Sequence, residues 1–149
     1  IMKRLFSILF LLALLLSACA PAATNAPVQA ATEAAAQPVA SNVLFQIIKP
    51  DGTKFDVTLD AVKQLPLAQV TAEGKVEEGP YLLDILALAG VTEFTEVTLT
   101  GSSNPATLTF EQVDNNTILD FNNHGTMKLS TTYIPKANWT KDVAEIVVK

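Results

Sequence analysis

Sulfur and guanidinium groups are almost missing from this sequence. Its 149 residues hold one cysteine, Cys19, one histidine, His124, one tryptophan, Trp139, and one arginine, Arg4. A lone cysteine excludes an intrachain disulfide scaffold. One His and one Cys are too few for a zinc site built from those ligands. Charged residues are scarce at 17%, and their balance is acidic, with a net charge of −5. Strong nucleic-acid binding is not expected, because counterion release needs clustered Lys and Arg. No HExxH, CxxC, GxSxG, Walker A or GxGxxG pattern occurs, so no common catalytic signature is present. With 49% apolar residues, 6 glycines and 8 prolines, the composition fits neither a collagen, a coiled coil nor a wholly disordered chain.

What is present is unevenly placed. Lys3 and Arg4 precede an apolar run over residues 5–16, LFSILFLLALLL. Twelve residues are too few to cross a ~30 Å hydrocarbon core comfortably and fit a signal-peptide h-region. The run Leu16-Ser17-Ala18-Cys19 follows and resembles the lipobox of bacterial lipoproteins. That resemblance implies cleavage before Cys19, fatty-acyl (palmitate) chains on its thiol, and a place on the outer face of a bacterial envelope membrane. Each buried acyl CH₂ adds ~0.8 kcal/mol of membrane affinity, so two or three chains anchor stably. Residues 20–41 read APAATNAPVQAATEAAAQPVAS. They carry too little apolar bulk to offset the entropy of ordering and are expected to be a disordered tether. The organisation predicted is therefore a signal peptide over 1–18, a lipidated Cys19 with tether over 19–41, and one folded domain over 42–149. Without Lys3 and Arg4 the balance is eight basic residues against fifteen acidic.

Within 42–149 the patterning is short-ranged. Residues 43–48 read as a strand, Pro50-Asp51-Gly52 as a turn and residues 54–57 as the returning strand. Thr58 is placed to cap a helix over 59–65, stopped by Pro66. One further strand is expected over 68–76, bent at Gly74. Gly79-Pro80 reads as the N-cap and first position of a helix running to Ala89. Its buried stripe is Leu82, Leu83, Ile85, Leu86 and Ala89, with Gly90 as the left-handed cap. Strands are predicted at 96–100, 106–108, 117–121, 129–134 and 143–148, and Thr109 to Gln112 fits a capping box. The fold class predicted is α+β, with a mixed, largely antiparallel sheet and two or three short helices.

Few residues offer chemistry. Glu73, Glu77 and Glu78 beside Lys75 read as a solvated turn. Asp51, Asp114 and Asp120 lack the spacing of a calcium loop, and no metal site is predicted. The loop Asn122-Asn123-His124-Gly125 is the most polar place with a group that titrates near neutrality. Nothing in the sequence supplies a serine and an acid to complete a triad, so no catalytic residue is assigned. Trp139, near Tyr133 and Lys136, either closes the core or lines a groove, and packing is the favoured reading.

Several pieces recur in a fixed order. They are Gly79-Pro80-Tyr81-Leu82-Leu83-Asp84-Ile85-Leu86-Ala87-Leu88-Ala89-Gly90-Val91, a strand, loop and short helix over 97–113, and His124-Gly125-Thr126-Met127-Lys128-Leu129. Ile134-Pro135, Trp139-Thr140-Lys141 and the strand-like 143–148 follow. From about residue 55 to 149 this order resembles the molybdopterin-binding oxidoreductase domain of the sulfite oxidase family. The resemblance implies that fold and makes His124, Lys128 and Trp139 the cofactor-binding candidates. It also implies a molybdenum-ligating cysteine inside the domain and an arginine beside His-Gly that grips phosphate. Residues 42–149 have no cysteine, and Lys128 stands at the arginine position. Lysine lacks the bidentate fork, so no bound cofactor is predicted, although molybdopterin is the one the resemblance names. The favoured reading is a lipid-anchored, non-catalytic module for a ligand or for a redox or envelope protein partner. The alternative is a molybdopterin-dependent oxidoreductase or an accessory subunit of one. A third reading is an envelope adaptor in which the tether matters more than any pocket.

Overall fold

Alternating polar and apolar residues build the first hairpin. The computed structural model describes residues 42–149, and the expected signal peptide, Cys19 and tether lie outside the described residues. In β1 (Val43–Ile48) Phe45 and Ile47 are buried, and antiparallel β2 (Lys54–Thr58) returns beside it. Asp51 Oδ1 closes the turn, accepting from the Thr53 N–H at 2.8 Å and from Thr53 Oγ1 at 2.6 Å. Thr58 caps α1 (Leu59–Lys63), where its Oγ1 accepts the Ala61 N–H at 3.3 Å. This helix stops two residues short of the expected end, since the residue before a proline is pushed out of helical geometry.

The next segment corrects the sequence reading. The single bent strand expected over 68–76 is a two-stranded ribbon, β3 (Ala68–Ala72) and β4 (Lys75–Gly79). Glu73 and Gly74 form the turn between them with φ of 48° and 78°, the paired positive values of a tight hairpin. Gly79 therefore ends a strand rather than capping a helix. α2 (Leu82–Leu88) starts later, with Tyr81 at its N-cap and without a side-chain cap bond. It buries Leu82, Ile85 and Leu86, whereas Leu83 is 40% exposed and leaves the expected stripe. Gly90, at φ 73°, turns the chain out of the helix as expected.

The remaining elements are β5 (Glu96–Thr100), β6 (Ala106–Thr109), a 3-10 turn (Phe110–Gln112), β7 (Thr117–Phe121), β8 (Met127–Thr131), a second 3-10 turn (Lys136–Asn138) and β9 (Glu145–Val148). The Gln112 side chain accepts the Thr109 N–H at 3.0 Å, one half of the expected capping box. β8 begins two residues before its expected start and ends at Thr131.

The main sheet runs β2-β1-β9-β5-β6. β9 lies parallel to β1 and antiparallel to β5, and the other pairs in this sheet are antiparallel. The architecture is α+β with a mixed, mostly antiparallel sheet and short helices, as the sequence predicts. Side chains alternate across β7–β8. Leu119, Met127 and Leu129 join the core with Ile47, Ile85, Leu99 and Ile146. Ile118, Asp120, Lys128 and Ser130 occupy the opposite face, and the β3–β4 ribbon packs beside this pair of strands. Gly79 is fixed by that packing. A Cβ there would lie 2.0 Å from the Leu119 carbonyl oxygen. Leu119 N–H donates to Pro80 O at 3.0 Å, and Tyr81 bridges to Ile118.

Candidate functional site

Charge gathers where the ribbon meets β7–β8. Glu77, on β4, receives Lys128 Nζ at 2.9 Å on one oxygen and Lys136 Nζ at 2.5 Å on the other. Lys128 also reaches Asp120 Oδ2 at 3.0 Å, its cross-strand neighbour. The Glu77 side chain is 11% exposed, so it is not part of a solvated turn as its sequence neighbourhood suggests. The Lys136 ammonium, more than any other group, holds the Glu77 carboxyl down to about 2 against the opposing effect of burial. Burial pushes Asp120 up. Burial opposes the charged form of Lys128, yet its bonds to Glu77 and Asp120 hold its pKa above the ordinary value. Ser130 Oγ, on the same face, is buried with no hydrogen-bond partner among the described residues.

Two residues along β8 from this network a polar corner forms. Asp142 sits at φ 48° and accepts from Ser102 Oγ at 2.5 Å, from Asn122 Nδ2 at 2.6 Å and from Thr126 Oγ1. These donors, Ser102 first, hold its carboxyl at about 2. His124 is exposed at the tip of this corner, its backbone N–H tied to Asn122 Oδ1 at 2.9 Å. His124 and Lys128 line one cleft of about 250 Å³ with Asn122, Asn123, Lys141 and Asp142.

Trp139 lies elsewhere. It is 3% exposed, and its Nε1–H donates to Ile134 O at 3.2 Å, which fits the packing reading. It also lines a groove of about 370 Å³ between the ribbon residues Thr71, Ala72 and Glu73 and the segment 131–136. Both sequence readings of Trp139 therefore hold at once. Lys136 Nζ stands 5.0 Å over its ring, a cation–π distance. The structure thus brings His124 and Lys128 together and sets Trp139 in a different cleft. Glu77 links the two through Lys128 and Lys136. Sequence reasoning missed Glu77, Asp120 and Asp142 as members of this region. The only available signal was the Glu73-Gly74 pair, a weak form of the Asn-Gly or Asp-Gly hairpin turn.

No family model and no curated protein matches the sequence. A solved structure does. The fold is similar to that of the sulfane dehydrogenase SoxCD from Paracoccus pantotrophus, with a TM-score of 0.52 and 16% identity. The match covers 70% of this chain and 37% of that one, so this chain spans well under half of its neighbour's length. At that identity the likeness shows the fold alone, the one this chain shares with that dehydrogenase.

The donor set does not fit molybdopterin as that resemblance describes it. Residues 42–149 contain no cysteine to supply the thiolate that the resemblance implies. The cation at the arginine position, Lys128, already holds two carboxylates. A phosphate at this ammonium has to displace both, against the repulsion of their charge.

Proposed function

We propose that this chain is a lipid-anchored bacterial envelope protein whose folded domain is a non-catalytic ligand- or partner-binding module on a sulfite oxidase-like fold. The observation that carries the proposal is the engagement of Lys128. An ammonium paired at 2.9 and 3.0 Å with Glu77 and Asp120 serves the architecture rather than an oxyanion. The absence of cysteine and arginine from residues 42–149 points the same way. The basic start, short apolar run and Leu16-Ser17-Ala18-Cys19 box support export and acylation of Cys19. The cleft with His124 and Lys128 and the groove beside Trp139 are the two places for a small ligand or a partner's side chains.

Two measurements test this reading. Protein recovered from native cells is assayed for molybdenum and pterin, and both are expected far below one per chain. Stoichiometric molybdenum with turnover turns the assignment to a molybdopterin-dependent oxidoreductase or an accessory subunit, the alternative that the fold likeness to SoxCD favours. Separately, a fatty-acid label is expected on the wild-type chain and absent from Cys19→Ser, which leaves the membrane fraction. Retention of Cys19→Ser in membranes refutes the anchor.

A further inference from the structure

The β3–β4 ribbon has an unusual balance of forces. Its buried apolar residues are Val70 and Ala72, and both lie outside the main core cluster. A two-stranded ribbon is marginal by itself, so its docking decides whether it stays folded. One end is pinned, because Gly79 sits against the Leu119 backbone and Pro80 O accepts the Leu119 N–H. Past that end the ribbon is held by the burial of Val70 and Ala72 and by polar attachments. Glu77 carries Lys128 and Lys136, and at the tip Glu73 Oε1 accepts the Lys136 N–H at 3.1 Å. Ala72 and Glu73 then form one wall of the groove whose other wall is Trp139 and the 131–136 segment.

We propose that the β3–β4 ribbon is a flap hinged at Gly79, held shut over the Trp139 groove by the Glu77 clasp on Lys128 and Lys136. The charged groups around the clasp are Glu73 and Lys75 on the ribbon, Asp120 on β7, Lys128 on β8, and Lys136 across the groove. Opening at the tip end breaks the Glu77 and Glu73 contacts and leaves the Gly79 contact made. Such a local opening lies below the global unfolding free energy. The flap stands whether or not the groove takes a ligand.

Trp139 is the sole tryptophan of the chain and reports on the groove directly. In the full chain, acrylamide quenching of its fluorescence is expected to rise in Glu77→Gln while the far-ultraviolet circular dichroism is retained. Amide exchange over residues 68–78 is expected to quicken about tenfold, or about 1.4 kcal/mol, with the β1, β5 and β9 amides unchanged. Equal quickening everywhere, or none in the ribbon, overturns the flap. Should Glu77→Gln not fold, the wild-type chain decides under native-state exchange in low denaturant. Ribbon amides opening separately from and before the main sheet support the flap, and a single joint transition overturns it.

Discussion

At Lys128 one ammonium settles two carboxylates from different elements, and its removal is correspondingly costly. Lys128→Ala leaves Glu77 and Asp120 facing each other, with Lys136 the one remaining paired cation among the described residues. The expected loss is about 1–3 kcal/mol by denaturant unfolding, since stranding a partly buried charge outweighs losing an exposed pair. Ser130 should behave in the opposite way. Its buried hydroxyl has no partner among the described residues, so Ser130→Ala is expected to be neutral or to stabilise by up to about 1 kcal/mol. The acid limb of stability draws most on Glu77 and Asp142, both depressed to about 2 from ordinary values of 4.5 and 3.8. Their contribution is complete above those ordinary values and is lost as pH falls from there through about 2. Asp120, raised by burial, works in the opposite sense, and its cost is relieved on acidification. Melting temperatures from pH 7 to 2 are expected to show a shallower acid decline for Asp142→Asn, a side chain that tolerates the positive φ. An unchanged slope removes Asp142 from this account. The candidates His124, Lys128 and Trp139 come from the family resemblance, and only His124 also stands out by itself, as the one imidazole in a polar loop. Their partners were not legible, because Glu77 lies 51 residues from Lys128 and 59 from Lys136, and no local pattern encodes such a pairing.

At the scale of elements, the strands with clean alternation and the capped helices were readable, and the ribbon was not. β1, β2, β5 and β7 match the expected strands because one face of each is apolar and local signals mark their ends. The β3–β4 outer face carries Gln69, Thr71, Val76 and Glu78, so its alternation is faint, and Gly74 read as a bend. Gly79-Pro80 carries the form of a helix start, yet a tertiary contact claims the glycine first. Two glycine substitutions separate these causes. Gly79→Ala forces a methyl group into the Leu119 carbonyl at 2.0 Å, and backbone cannot swing aside as a side chain does. The expected cost is about 3 kcal/mol or more. Gly74→Ala meets nothing within 4 Å and strains only its φ of 78°, at about 1–2 kcal/mol. Similar losses for the two in chemical denaturation contradict the close packing of Gly79 on Leu119.

For the whole molecule, the α+β class was legible from short strands mixed with short helices, but the order of the sheet was not. β1 and β9 meet in parallel register from Gln46 with Glu145 to Ile48 with Val147. That pairing joins the first and last strands of the described chain and leaves no trace in local sequence. Before β9 arrives, β1–β2 and β5–β6 are two separate hairpins, each with an exposed inner edge. During synthesis neither can complete the sheet until residues 145–148 have left the ribosome. A chain halted earlier exposes two unsatisfied strand edges to its neighbours, and one that crosses a membrane first keeps both edges unmatched until it reaches the far side.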